Sequence, residues 1–294
     1  RNVTAETLTK TLLDYCGPDT DPRLSFVLER LAHHLHSFAK ETNLTHDEWR
    51  KGIALLTAAG EISTPERNEF VLFSDVLGLS SLVDMVNSPP DATASSVLGP
   101  FHILDAPELP VGADLKKDNA GDSVIVQGRV LDTKGQPIAG AVIDTWQTAD
   151  NGLYSNQDPE QDYYNFRARM KTEADGRYAF TTVRPAPYTV PDDGPVGELL
   201  HATGRHPWRP SHLHFIIAAD GHRTLVTEVF PDDDPYLDED AVFGVRSDLV
   251  MKYRQCDDPK RTGMFFIWQP VAVSPRRSAI CCAGISSPAA SPRI

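Results

Sequence analysis

The sequence predicts an α+β chain in which a helical N-terminal region is followed by an antiparallel β-sandwich. Apolar residues recur at spacings of three and four through the first third, and a proline-rich stretch then intervenes. Beyond it, short runs alternate apolar and polar residues between Gly, Pro and Asp turns. With 294 residues and 40% hydrophobic content, the chain can bury a sizeable core.

The helical part covers residues 1–95. Leu24, Val27, Leu28, Leu31, Leu35 and Phe38 fall on one helical face, and Asp21-Pro22 supplies a helix start. A second helix enters at Thr45, where Glu48 completes a capping box, and runs through Trp49, Ile53 and Leu56 to a stop at Gly60. A third starts near Thr64 and Pro65 and carries Phe70, Phe73, Val76 and Leu77. Residues 96–123 form an extended connector, because Pro100, Pro107 and Pro110 forbid a helix.

Residues 124–270 carry the strands. Val124, Val126, Gly128 and Val130 alternate with other positions, Asp132 to Gly135 makes a turn, and Ala141, Ile143 and Thr145 resume the pattern into Trp146. Further strands are expected at Arg177 to Thr182, His212 to Ala218 and Thr224 to Val229. Residues 271–294, with Cys281 and Cys282 side by side, read as an irregular tail without a role in the fold.

Composition narrows the function. A formal charge of −13 opposes binding to a phosphate backbone, so no nucleic-acid partner is expected. Four cysteines without CxxC spacing make no disulfide framework in a chain of this size and favour a reducing, cytoplasmic setting. No apolar run approaches the roughly 18 to 20 residues that span a bilayer, so no membrane insertion is expected.

Chemistry concentrates at Arg209-Pro210-Ser211-His212-Leu213-His214. On a strand, positions i and i+2 share a face, so His212 and His214 can present two imidazoles to one metal. Such a pair also occurs in zinc hydrolases, and on surfaces or in cores without metal. Tyr154 and Tyr188, in turn-rich segments beside strands, could add phenolate oxygens. Phenol ordinarily ionises near pH 10, so holding it as phenolate at neutral pH favours Fe(III) over zinc. The commoner fate of a tyrosine is a buried ring with a bonded hydroxyl, so the residues alone leave ligands and metal open.

As an ordered set, the motifs resemble the intradiol ring-cleavage dioxygenases. They are Leu153-Tyr154-Ser155, TEADGRY at 172–178, PYTVPDDGP at 187–195, TGRHPWRP at 203–210, His212-Leu213-His214 and Leu225-Val226-Thr227. The resemblance implies Fe(III) held by Tyr154, Tyr188, His212 and His214, with O2 and a small aromatic diol or triol as substrates. It implies that Tyr188 leaves the metal when substrate binds and that Arg209 stabilises negative charge on the substrate. It also implies a homodimer formed through the N-terminal helices, with a phospholipid at their interface.

Within the family, PYTVPDDGPVG, ATGRHPWRP and FVLFSDVLG look most like the hydroxyquinol 1,2-dioxygenases. Cleavage of benzene-1,2,4-triol to 3-hydroxy-cis,cis-muconate, the enol of maleylacetate, is therefore expected, with catechol cleavage to cis,cis-muconate as the alternative. The resemblance places Asp75 at the third hydroxyl of the triol. It places Leu72, Val97, Gly99, Pro100, Phe101, Val190, Pro191 and Val242 around the ring. Glu228 stands where relatives more often carry Gln or His, Ser211 replaces a more frequent Ala, and beyond Asp257 the family's closing strand is not evident. A second class stays open: Val126 to Trp146 also resembles the prealbumin-like sandwich of noncatalytic binding modules.

Overall fold

The computed structural model describes residues 3–64, 67–255 and 265–275. Pro65, at the expected start of the third helix, and the tail from 276 on, with Cys281 and Cys282, lie outside them. The helices are α1 (Leu8–Leu13), α2 (Pro22–Glu41), α3 (His46–Ile62), α4 (Glu69–Val76), α5 (Leu79–Asn87) and α6 (Pro195–Ala202). Residues 1–61 and 62–294 form two compact units.

Helix starts follow the sequence signals. Asp21 Oδ1 accepts the Leu24 N–H at 2.9 Å, with Pro22 in the first turn. Thr45 N–H donates to Glu48 Oε2 at 2.9 Å and Glu48 N–H donates back to Thr45 Oγ1 at 3.3 Å, which is the capping box. Helix α3 continues past Gly60 to Ile62. The following helix begins at Glu69, where Asn68 Oδ1 accepts from the N–H groups of Phe70 and Val71. In the first unit, the apolar face of α2 stays outside any core: Leu24, Val27, Leu31, Leu35 and Phe38 are all exposed.

The second unit holds the strands β1 (Ala113–Asp114), β2 (Ser123–Asp132), β3 (Val142–Gln147), β4 (Arg167–Lys171), β5 (Arg177–Val183), β6 (Tyr188–Thr189), β7 (Trp208–Arg209), β8 (Leu213–Ala218), β9 (Leu225–Pro231), β10 (Val250–Met251), β11 (Arg254–Gln255) and β12 (Phe265–Val273). They build two five-stranded sheets, ordered β1-β5-β2-β12-β11 and β10-β9-β8-β3-β4, and a separate ribbon of β6 and β7. Val124, Val126, Val130, Phe180 and Val271 of the first sheet share one core with Ile143, Met170, Phe215, Ile217 and Val229 of the second. The buried positions alternate along β2 and β5, as the period-two pattern requires.

The expectation of an antiparallel sandwich is corrected: the sheets are mixed. β12 runs parallel to β2 in continuous register from Phe265↔Val124 to Val273↔Asp132. β1 is parallel to β5, and β10 to β9. Alternation specifies which face of a strand is buried and carries no information about its direction, so the sequence pattern is the same for both pairings. The closing strand missed beyond Asp257 is β12. It also takes in Val271 and Val273, both buried, from the stretch assigned to the tail.

Candidate metal centre

Strand β8 lies between β3 and β9, and the antiparallel registers place Trp146, His214 and Glu228 in one row across the sheet. Cross-strand neighbours present their side chains to the same face. Accordingly, the Trp146 ring stacks on the His214 ring, with centroids 4.6 Å apart and planes 6° from parallel. In the ribbon, Tyr188 of β6 pairs with Arg209 of β7. Tyr154 comes from the loop after β3, and Phe101 stacks on its ring at 4.6 Å.

That loop is held from below by Arg167. Its guanidinium donates to Ser155 Oγ at 2.7 Å, to Asn156 Oδ1 at 3.0 Å and to the Phe101 carbonyl at 2.6 Å. Burial brings the Arg167 pKa down to about 10, which still leaves it charged at neutral pH. The sequence reading missed Arg167; its place on a strand beside the Tyr154 loop emerges only from the sheet register.

The four expected ligands converge. Tyr154 Oη lies 3.0 Å from His214 Nε2, 3.2 Å from His212 Nε2 and 3.4 Å from Tyr188 Oη. The two Nε2 atoms are 3.1 Å apart. Donors bound to one first-row ion at roughly 2.0–2.1 Å stand about 3 Å from each other, so these separations are those of a common coordination sphere. His212 Nδ1 donates to the Pro210 carbonyl at 2.7 Å, which leaves its Nε2 free of a proton and ready to bind. Gly99, at φ +69°, runs past this cluster so closely that a Cβ there would sit 3.5 Å from His214 Cε1.

Among the described residues, His212, His214 and Glu228 also form a group whose potential ligand atoms lie within 4.8 Å of one another. Glu228 is set apart from the other donors by its partners. Its Oε1 lies 3.4 Å from His214 Nδ1, the nitrogen that does not meet the tyrosines, and equally 3.4 Å from His212 Nε2. Its carboxylate is also engaged by Arg209, at 2.9 and 3.1 Å.

Arg209 is the charge centre of the site. It is buried, and it bonds Glu228 through Nη1 and Nη2 and Asp240 through Nε and Nη2. One guanidinium thus serves two buried carboxylates, leaving a formal excess of negative charge beside the four donors. Gly244 makes the packing possible: a Cβ there would meet Arg209 Nη2 at 2.7 Å and Glu228 Oε2 at 2.9 Å. Arg209 Nη1 reaches inward as well, to 3.5 Å from Tyr188 Oη and 3.2 Å from His212 Nε2.

Burial sets the protonation of the donors. It raises the Tyr154 phenol well above its usual range, with Tyr188 adding to the effect, and raises Tyr188 too, against the pull of Arg209. Burial lowers the His212 imidazole to about 4 and takes His214 well below its ordinary value. The metal-free cluster is therefore two neutral phenols and two neutral imidazoles. For Glu228, burial works upward, but the charge and hydrogen bonds of Arg209 prevail and hold the carboxyl below its usual value. A metal ion Lewis-acidic enough to ionise both phenols fits this donor set.

A cavity of about 400 Å³ lies beside the cluster, within the range typical of small-molecule sites. Leu72, Asp75, Pro100, Phe101, Val190 and Pro191 line it, all of them expected pocket residues. Val97 and Gly99 line an adjoining cavity that shares Asp75 and Pro100. Val242 lines neither; it is buried in an apolar cluster with Leu72, Val97 and Val190. Asp75 is buried on α4, and desolvation raises its pKa. Sequence reasoning gave no sign of Glu69, a buried acid that pairs with Arg67 and accepts the Val196 N–H at the start of α6, nor of Ser96 and Asp240. Each acts through a partner more than a hundred residues away or in an unpatterned loop.

The family signature described as "Dioxygenase" matches residues 99–272, and that described as "Catechol dioxygenase N terminus" matches residues 21–95. A hydroxyquinol 1,2-dioxygenase of Rhizobium is 48% identical over 82% of this chain and 83% of its own length. The solved hydroxyquinol 1,2-dioxygenase of Pseudomonas putida superposes with a TM-score of 0.84 at 42% identity, covering 92% of this chain and 99% of that one. Catechol 1,2-dioxygenase of Acinetobacter radioresistens gives a TM-score of 0.80 at 28% identity, covering 98% and 97%. The matched region reaches into β12, so the likeness extends to the closing strand of the first sheet. The convergent donors and these matches lead to one conclusion: the chain belongs to the intradiol ring-cleavage dioxygenases, a family of non-haem iron enzymes.

Proposed function

We propose that this enzyme cleaves hydroxyquinol between its vicinal hydroxyls with O2, using Fe(III) held by Tyr154, Tyr188, His212 and His214. The observation that carries the metal reading is the set of donor separations of 3.0 to 3.4 Å between two phenol oxygens and two Nε2 atoms. Bound there, Fe(III) would supply the Lewis acidity that keeps both phenols ionised and makes a chelated diol reactive toward O2.

The protein residues divide the remaining work. Tyr154 Oη meets both imidazoles, whereas Tyr188 Oη lies 3.4 Å from Tyr154 Oη and faces Arg209. Tyr188 is thus the phenol placed to take a substrate proton at its Oη while the other three side chains stay in position. Arg209, fixed by two carboxylates, presents Nη1 toward that oxygen and can hold negative charge there without reorganising. Leu72, Val190 and Phe101 give the ring an apolar bed and exclude water.

Asp75 supports hydroxyquinol over catechol, because its carboxyl stands on the α4 wall of this cavity, where Glu69 of the same helix is already taken up by Arg67 and the Val196 N–H, and can take the third hydroxyl. Asp75→Ala is expected to lower kcat/KM for hydroxyquinol relative to catechol by about 10- to 100-fold, the worth of one hydrogen bond to a charged or buried partner. Steady-state rates on both substrates test this, and an unaltered ratio contradicts the assignment of Asp75.

For the chain's organisation we propose that residues 1–95 serve dimerisation, 96–123 connect, and 124–270 carry the catalytic sandwich. The exposed row Leu24, Val27, Leu31, Leu35 and Phe38 on α2 supports a homodimer, since a lone chain gains nothing by showing so much apolar surface to water. The same surface would take the acyl chains of a phospholipid. Among the described residues no helix is long and apolar enough to cross a membrane. Sedimentation at micromolar concentration is expected to show a dimer, and a monomer there contradicts it.

A further inference from the structure

Glu228 sits where a metal-binding imidazole needs support. The two histidines are held differently. His212 gives its Nδ1 proton to the Pro210 carbonyl. His214 Nδ1 is buried with no hydrogen-bond partner among the described residues; the carboxylate oxygen beside it is Glu228 Oε1, 3.4 Å from it and 3.4 Å from His212 Nε2. An imidazole that binds metal through Nε2 carries its proton on Nδ1, and that proton requires an acceptor in a dry site.

The carboxylate is locked in place. Oε1 accepts from Arg209 Nη1 at 2.9 Å, and Oε2 accepts from Arg209 Nη2 at 3.1 Å. Ser96 Oγ, between Oε2 at 2.5 Å and the Gly244 carbonyl at 2.9 Å, fixes the other side. Trp146 stacks on the His214 ring, so the ring has little freedom to turn away.

We propose that Glu228 is a positioning residue for the metal: its carboxylate, clamped by Arg209 and Ser96, accepts the His214 Nδ1–H, orients the ring and makes His214 a more basic ligand. This rests on the reading that Tyr154, Tyr188, His212 and His214 hold Fe(III). A neutral amide at this position would orient the ring without adding charge. A carboxylate adds a negative charge that favours a trivalent over a divalent ion. Glu228 thereby sets the preference for Fe(III) and the energy of the phenolate-to-iron absorption.

The test compares the metal-free full chain and its Glu228→Gln variant, titrated with Fe(III) from a chelate buffer and separately with Co(II). Loss of an outer-shell carboxylate typically costs about 10- to 100-fold in metal affinity. The variant is expected to bind Fe(III) at least about 10-fold more weakly, to lose less affinity for Co(II), and to move the visible band to longer wavelength. Ser96→Ala, which keeps the carboxylate and removes its tether, is expected to give a smaller change in the same direction, and it serves if the first variant does not fold. Unchanged Fe(III) affinity and band position overturn the proposal. Equal loss of both metals also overturns it, since that marks a direct ligand or a purely structural group. A wild-type protein that takes up Fe(III) without colour instead overturns the ligand reading beneath it.

Discussion

Tyr154→Phe is expected to remove nearly all iron and visible colour from the protein and to reduce turnover below detection. Tyr154 Oη lies within 3.2 Å of both histidine Nε2 atoms, so it is the hub of the donor set. Losing an outer-shell partner already costs about 10- to 100-fold in metal affinity, and losing a direct anionic ligand costs more. Charge balance adds to the effect, because one phenolate fewer leaves a trivalent ion under-neutralised in a dry site. The fold should survive, since the ring keeps its stacking on Phe101 and loses only a hydroxyl that burial holds protonated. Iron content, the visible spectrum and a thermal melt check the three parts of this expectation. Tyr188→Phe should keep more iron, since Tyr154 Oη meets both imidazoles whereas Tyr188 Oη meets Tyr154 Oη and Arg209.

Arg209→Met is expected to be the most destabilising single change in the site. The guanidinium is fully surrounded, and its removal leaves Glu228 and Asp240 facing each other without a cation. Breaking a buried ion pair by removing one partner costs about 3–5 kcal/mol, which in a domain of this size lowers Tm by roughly 10 °C. The loss should shrink as pH falls, because the Glu228 carboxyl, which Arg209 holds below its usual value in the wild type, takes up a proton more readily once that cation is gone. Thermal melts across pH 4 to 8 measure it, and a melt indistinguishable from wild type at neutral pH contradicts the charge-centre role. Turnover should fall as well, through loss of the donor that faces Tyr188.

Local signals predicted the helices well because they act within a few residues. Asp21 with Pro22 and Thr45 with Glu48 cap α2 and α3 in the expected way. Strand positions were legible for the same reason, as alternation reports a buried face. Strand direction was not, since β12 pairs with β2 across more than a hundred residues and nothing in either pattern encodes the parallel sense. Pro270 within β12 also removes a backbone donor and argues against a strand when read locally.

The site was legible to the extent that its residues lie in sequence motifs. Spacing alone offered His212 and His214 as a possible metal pair, while Tyr154 and Tyr188 as further candidates required the ordered family resemblance. Asp240, Ser96 and Arg167 were missed, because each acts by reaching a partner that only the folded sheets bring near. Glu228 was visible as a departure. Its meaning came from the register that sets it opposite His214 and from the edge of the ring that it faces.

The most direct measurement of the central claim is the visible spectrum of the iron-loaded protein before and after hydroxyquinol is added without oxygen. Two phenolates on Fe(III) predict a broad absorption that colours the protein red-brown, and substrate should shift and reshape that band as Tyr188 gives way and the diol binds. A protein that takes up iron but stays colourless, or whose band is untouched by saturating hydroxyquinol, contradicts the account.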